Sequence, residues 1–403
     1  MTVLITGGAG YIGSHTAHEF VDAGERVVVL DNLSTGNKQA VPYQTPLIVG
    51  DIDDFDLVCN LIRDYHIKNI IHFAGSVVVS ESVLDPISYY RNNVVGSLKL
   101  IEAAKECGVE YFIFSSSASV YGNPSHINVK ENSTIAPISP YGWSKAMTEI
   151  MLRDAANGSD VIYGILRYFN VAGADPVMRT GQSGSTPTHL IKVAAQTMLG
   201  EQDRLSIFGT DYPTPDGTCI RDYVHVSDLA NAHRLVLNTM RKRNRNLTLN
   251  CGYGSGHSVR EVIAAFEFFL QKPMPLVECD RRPGDPAYLV AAVDAINRIG
   301  WEPKYNDLDI IVRHTLEWET QLKRQNNSHN KYRRANMLNQ AEDKQFRKAR
   351  NTEFYKDIAS SFRRNNPKEA LVLLEQAFPE LYGISKFIKE ENYENIGLRG
   401  PGI

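Results

Sequence analysis

The alternation of short apolar runs with longer helical stretches constrains this chain more than any other feature of its sequence. β-Branched, apolar runs recur at Val3–Thr6, Val27–Asp31, Leu47–Asp51, Asn69–Gly75, Tyr111–Ser115 and Val161–Arg167, and a helical stretch follows each. A strand without polar alternation is covered on both faces, and strands separated by helices run parallel. The pattern predicts an α/β fold, a doubly wound parallel sheet, over residues 1–172. Beyond 172 the Gly/Pro/Thr-rich segments Gly181–Pro187 and Gly209–Gly217 separate shorter elements. A smaller α/β substrate-facing domain is expected over 173–322, with segments near 222–252 returning to the sheet.

Net charge divides the chain again. Residues 1–322 carry 27 Lys/Arg against 36 Asp/Glu, whereas 323–403 carry 16 against 10. The acidic body offers no footing for nucleic acid, while the basic end is suited to an acidic partner that the sequence does not identify. Lys323 to Arg350 reads as a polar linker or solvated helix. Beyond it, Phe354, Ile358 and Phe362 form one apolar stripe, and Ala370, Leu371, Leu374, Phe378 and Leu381 form another. Asn366-Pro367-Lys368-Glu369 supplies a cap, a proline at the first helical position and an acid at the third. Two helices joined as an αα-hairpin are expected there, appended to the body or to a partner subunit.

The five cysteines, Cys59, Cys107, Cys219, Cys251 and Cys279, are scattered and odd in number. That spacing fits neither a disulfide framework nor a zinc site. Residues 2–6 read as a strand rather than a leader, and no apolar run approaches the ~20 residues that span a bilayer. A cytoplasmic, reduced protein with no membrane contact is expected.

Thr6-Gly7-Gly8-Ala9-Gly10-Tyr11-Ile12-Gly13 follows the first strand and opens a helix. Glycines at Gly7, Gly10 and Gly13 permit the tight turn and let the N–H groups of Tyr11, Ile12 and Gly13 face a pyrophosphate. Asp31 ends the second strand 18 residues after Gly13, where a carboxylate holds a ribose hydroxyl and repels a 2′-phosphate. NAD is therefore favoured over NADP. Asn32 beside it, Asp51-Ile52 after the third strand, Phe73-Ala74-Gly75 after the fourth, and Asn93 complete the candidate cofactor surface at the carboxyl edge of the sheet.

Tyr141-Gly142-Trp143-Ser144-Lys145 places a phenol and an ammonium one helical turn apart. An adjacent cation is expected to lower the phenol's pKa and make it a usable base. Ser115-Ser116-Ser117-Ala118-Ser119 ends the fifth strand on the same sheet edge, with Ser117 24 residues before Tyr141. A serine hydroxyl there is placed to relay the proton.

Together, the glycine turn, the serine strand end and the Tyr-x-x-x-Lys pair resemble the extended short-chain dehydrogenase/reductase family, whose nucleotide domain is of Rossmann type. Within it, Phe114-Ser115-Ser116-Ser117-Ala118-Ser119-Val120-Tyr121-Gly122, Arg167-Tyr168-Phe169-Asn170, Arg221-Asp222-Tyr223-Val224-His225-Val226 and Arg281-Arg282-Pro283-Gly284-Asp285 are similar to the UDP-glucose 4-epimerases. The resemblance covers residues 1–322 and none of the tail. It implies Tyr141 as base and acid, Lys145 as its tuner and a ribose contact, and Ser117 on the sugar 4-OH. It further implies Asn170, Arg221 and Arg282 on the UDP diphosphate, Asp285 on the uridine ribose and Phe208 against the uracil. The implied substrates are UDP-galactose and UDP-glucose, with tightly bound NAD regenerated each cycle and a homodimeric assembly.

Sister dehydratases carry a Glu just before the Val-Tyr-Gly, where this chain has Ala118-Ser119; epimerisation needs no acid there. Three positions depart from the family pattern. Ser76-Val77 stands where a Lys is common after Phe73-Ala74-Gly75, and Thr188-His189-Leu190 stands where an Asn is common. The residue opposite the sugar's C2 group is Leu289 or its neighbour Tyr288. His189, Leu190 and Leu289 therefore join the candidate substrate contacts. A Tyr at the C2 gate excludes N-acetylhexosamines, whereas leucine is intermediate. Other readings are a related 4-epimerase acting on UDP-N-acetylhexosamine or UDP-xylose/arabinose and, from another class, a non-catalytic NAD- or nucleotide-sensing protein. Sensors of this fold typically lose the Tyr/Lys pair, which is present here.

Overall fold

The computed structural model describes residues 1–124, 126–184, 189–282 and 284–326. Residues 1–323 form one compact unit, and the helical hairpin expected over 354–381 lies outside the described residues.

Seven strands build the main sheet: β1 (Thr2–Thr6), β2 (Arg26–Asp31), β3 (Leu47–Val49), β4 (Ile67–His72), β5 (Tyr111–Ser117), β6 (Ile162–Tyr168) and β7 (Leu247–Cys251). Their order is β7-β6-β5-β4-β1-β2-β3, and every pairing is parallel. The chain winds one way from β1 through β2 to β3, then returns to lay β4 on the other side of β1. That reversal puts a crevice at the carboxyl ends of β1 and β4.

Strand period explains how both faces are filled. Val3 and Ile5 pack with Ala17 and Phe20 of α1 (Tyr11–Asp22) and with Leu229, Val236 and Met240 of the later helix Val226–Arg243. Leu4, between them, turns to the opposite face and meets Val58, Leu61 and Ile62 of α2 (Phe55–Asp64) and Leu100, Ile101 and Ala104 of α3 (Gly96–Glu106). Successive side chains point to opposite faces, and each face finds its own helices.

The next helix, α4 (Pro140–Asn157), starts at a defined residue. Ser139 caps it, its hydroxyl accepting from the N–H of Gly142 at 3.1 Å, and Pro140 takes the first turn. That pairing of a capping hydroxyl with proline fixes the start and places Tyr141 in the first turn.

Smaller sheets complete the first unit. Asn170–Ala172 pairs in parallel with Tyr223–His225, and Leu205–Phe208 with Leu276–Cys279. A four-stranded sheet runs His257–Ser258, Ile220–Arg221, Tyr288–Ala291, Asn128–Val129. A separate core beneath them joins Ile191, Ala194 and Met198 of α5 (Leu190–Met198) to Val262 and Phe266 of the helix Val259–Leu270 and to Ile311, Val312 and Leu316.

Candidate active site

The glycine turn leaves no room for a side chain at Gly7 or Gly13. Gly7 has φ +69°, and a Cβ on it falls 2.6 Å from the amide nitrogen of Ala74, just after β4. A Cβ on Gly13 falls 2.2 Å from the carbonyl oxygen of Gly7. Gly10 is the N-cap of α1 and provides no side-chain cap. The positive end of a twelve-residue helix is thus left to an external anion. Asp31 is 7% exposed; its Oδ2 accepts from the N–H of Ala9 at 2.9 Å and its Oδ1 from that of Leu33 at 2.8 Å. This carboxylate ties the end of β2 to the glycine turn, at the place a ribose must pass. The turn, the uncapped helix and the acid fit a dinucleotide.

Other candidate cofactor residues divide by what their side chains do. Tyr11 sends its hydroxyl to the carbonyl of Gly173 at 2.6 Å, and Ile12 packs into the core, so only their backbone faces the turn. Asn32 donates to Asp51 Oδ2 at 2.9 Å, which joins the loops after β2 and β3. Ile52 is buried near Gly96, and Phe73 lies 4.8 Å from the His233 ring. Asn93, in the π-helical turn Tyr90–Val95, has protein partners for its whole amide. It accepts from the N–H of Ser76 at 2.7 Å and donates to the Ser76 carbonyl at 2.9 Å and to Ser144 Oγ at 3.0 Å. Asn92 adds a bond to Ser76 Oγ at 2.8 Å. Where the resembling family commonly has a lysine, two asparagines clamp the loop to α4.

Three residues expected to carry the chemistry converge at the end of β5. Tyr141 is 5% exposed and Lys145, one turn on, 3%. The Lys145 Nζ donates to the Ser115 carbonyl at 3.0 Å and lies 5.9 Å from the Tyr141 ring centroid. Ser117 opens a short helical turn over Ala118–Tyr121, with its hydroxyl against Ser119 and a side-chain hydrogen bond to Tyr141.

The electrostatics correct one expectation. Burial raises the Tyr141 hydroxyl above its ordinary pKa, and the opposing influence is the Ser117 hydrogen bond rather than Lys145. Burial also pulls Lys145 down to about 8, against the charge of Glu149. Desolvation outweighs a cation nearly 6 Å from the ring centre. The phenol is therefore protonated at neutral pH.

Comparison with known proteins accords with this geometry. Residues 3–252 match the NAD dependent epimerase/dehydratase family. A UDP-glucose 4-epimerase of Azospirillum brasilense is 53% identical over 321 residues, 79% of this chain and 92% of that protein. The chain belongs to the UDP-glucose 4-epimerase family. Among solved structures, a UDP-glucose 4-epimerase from Brucella ovis in complex with NAD superposes with a TM-score of 0.76 at 42% identity, covering 78% of this chain and 97% of that one. A UDP-Glc/GlcNAc 4-epimerase from Campylobacter jejuni has a TM-score of 0.71 at 44% identity, covering 79% and 99%.

On the nucleotide side of this family member, the candidate ligands contact one another. Arg221, 7% exposed, forms an ion pair with Asp285. The Arg282 guanidinium lies 3.9 Å above the centre of the Phe208 ring. Asn170 stands opposite Tyr223, two residues from Arg221. Of the two candidates for the C2 gate, Leu289 is the register partner of Arg221 and packs against the cluster of Ala118, Val120 and Phe169. Tyr288, on the other face of that strand, turns its hydroxyl to the Pro213 carbonyl at 3.5 Å. His189 caps α5 by position without a side-chain hydrogen bond, and Leu190 packs into the core beneath. Thr188 lies outside the described residues.

Of two buried residues next to this site, Glu149 escaped the sequence reading and Arg167 entered it only within a motif, with no role assigned. Glu149 follows Lys145 by four positions, and Arg167 sits three before Asn170; they form a buried pair at 2.6 Å. The i+4 spacing was a usable signal, because it continues the face that carries Tyr141 and Lys145.

Proposed function

We propose that this protein interconverts UDP-galactose and UDP-glucose by oxidising C4 of the sugar and reducing it from the opposite face. The convergence of Ser117, Tyr141 and Lys145 beside an uncapped glycine turn carries the reading. NAD, when bound, accepts the C4 hydride and returns it. Gly7, Gly10, Gly13 and Asp31 hold the dinucleotide, and Lys145 lies on the path to its ribose. Tyr141, as the phenolate and bridged by Ser117, takes the proton of the 4-OH and, as the phenol, returns it to the same oxygen; with the hydride also returned, no net redox change occurs. Arg221 and Arg282 supply two guanidiniums for two phosphates. A phosphate on Arg221 frees Asp285 for the uridine ribose, and Arg282 leaves the Phe208 ring open to the uracil. Turning of the keto sugar within the pocket is compatible with anchoring at UDP, remote from the reacting carbon.

The division of labour we infer assigns residues 1–172, with 247–251, to the cofactor and 173–322 to the nucleotide sugar. We further propose a homodimer, supported by the exposed apolar stripe Trp143, Met147 and Ile150 of α4 beside Leu98 of α3. Free thiols at all five cysteines fit the cytoplasm, and among the described residues no helix is long and apolar enough to cross a membrane.

Purified protein incubated with UDP-galactose and no added NAD is expected to yield UDP-glucose, and Tyr141→Phe to lose turnover by about 10²–10⁴-fold. No conversion even with NAD supplied refutes the reading. Leu289 at the C2 gate is intermediate and does not favour UDP-N-acetylglucosamine, whose turnover is expected to be slower than that of UDP-galactose in the same assay.

A further inference from the structure

Glu149 is 1% exposed, deep in the helix that carries Tyr141 and Lys145. Its Oε1 accepts from the Ser116 hydroxyl at 2.6 Å and the Arg167 Nε at 2.8 Å. Its Oε2 accepts from another Arg167 nitrogen at 2.6 Å and from Arg153 at 3.0 Å. Three guanidinium N–H groups and one hydroxyl all donate, so the group they hold is a carboxylate. The network continues outward, because Arg167 also donates to the Tyr121 hydroxyl at 2.9 Å and Tyr121 donates to Asn250 at 2.6 Å.

The partners are not arbitrary. Ser116 precedes Ser117, Arg167 leads the segment ending at Asn170, and Tyr121 closes the short turn that Ser117 opens. One carboxylate thus connects α4 to the strand ends bearing the proton relay and a substrate contact. Losing one partner of a buried charge network leaves the others uncompensated.

Lys145 needs such a partner. It faces Tyr141 and Glu149 on α4, the Ser115 carbonyl and the Phe114 ring on β5, and the neutral His72 on β4. Tyr168 on β6 reaches Ser115 and Tyr141. Among these, the Glu149 charge is the one that opposes the burial of the ammonium.

We propose that Glu149 is a positioning residue of the epimerase reaction: it clamps the catalytic helix to the Ser117 and Asn170 strand ends and places a negative charge one helical turn from Lys145. This rests on the function proposed above.

Lys145 loses its proton as pH rises, so the alkaline limb of the turnover profile reports it. Removing the carboxylate lowers the pH at which that happens. Glu149→Gln keeps the shape and one accepting oxygen but turns an N–H toward two of the four donors; it is expected to move the alkaline limb down by about one pH unit. Turnover at pH 8 then falls about fivefold, with KM for UDP-galactose within about twofold of the unaltered enzyme. Arg153→Met removes a half-exposed cation beside Glu149 and shifts the limb the other way, upward by a few tenths of a unit. Circular dichroism and thermal unfolding check that each variant is folded. A folded Glu149→Gln enzyme with an unmoved limb reduces Glu149 to packing and overturns the proposal. If that variant does not fold, an unmoved limb in Arg153→Met overturns it. Absence of conversion by the unaltered protein removes both this proposal and the functional reading, which separates the two failures.

Discussion

At the scale of single residues, the site is governed by what cannot be added and what cannot be left uncharged. Gly13 is the clearer case of the first, since any Cβ there meets the Gly7 carbonyl oxygen at 2.2 Å. Both groups belong to tightly placed backbone, so neither can yield without opening the turn. Gly13→Ala is expected to destabilise the fold by about 1–3 kcal/mol and to strip the protein of co-purifying NAD. The check is the nucleotide released on denaturation; an unchanged stoichiometry contradicts the assignment. Lys145 illustrates the second: its motif was legible, but the sign of the net shift at Tyr141 was not. A one-turn spacing brings two side chains to one face, whereas the balance of desolvation against Coulomb attraction depends on how deeply both are covered.

Among elements, α4 serves two purposes at once. Its inner face carries Tyr141, Lys145 and Glu149, while Trp143, Met147 and Ile150 stand 43%, 38% and 53% exposed on the outer face. A solvent-facing apolar stripe at i, i+4 and i+7 favours a partner surface. The homodimer reading puts a second copy there, and Ile150→Glu is expected to halve the mass measured by analytical ultracentrifugation while leaving each subunit folded. A monomeric unaltered protein, or a variant that stays dimeric, rejects this face as the interface. The strands were legible to within two or three residues, because apolar runs end where the chain leaves the core. β5 ran longer than expected, to Ser117 rather than Ser115, since its serines remain in register with β6 through Tyr168. Hydroxyls do not break a strand when the parallel ladder continues.

For the whole molecule, acid stability follows from histidines buried in the sheet and its helices. Burial lowers His15 to about 4, His72 to about 3 and His233 to about 4, from 6.5. Their folded-state values lie below the unfolded one, so their contribution is present above pH 6.5 and is lost as pH falls toward 4. Each costs about 1.4 kcal/mol per pH unit across that window. The three together steepen the loss to about 4 kcal/mol per unit near pH 5, against a total of roughly 5–15 kcal/mol for a typical domain. Urea unfolding at pH 7, 6 and 5 measures this; a flat stability over that range contradicts it.

By itself, the sequence determined the parallel architecture, the glycine turn and the Tyr-x-x-x-Lys pair, because all three are local: a few neighbouring residues set a strand, a tight turn or a helix face. Contacts across long separations required the tertiary structure. Leu289 rather than Tyr288 pairs with Arg221 and packs toward Ala118, Val120 and Phe169, and one step of register reverses every side chain in a strand. The Asn93 amide holds Ser76 and Ser144, and Glu149 gathers Ser116, Arg153 and Arg167 around one buried carboxylate. Buried polar groups must find partners wherever packing places them, and that placement is a property of the folded chain rather than of any segment within it.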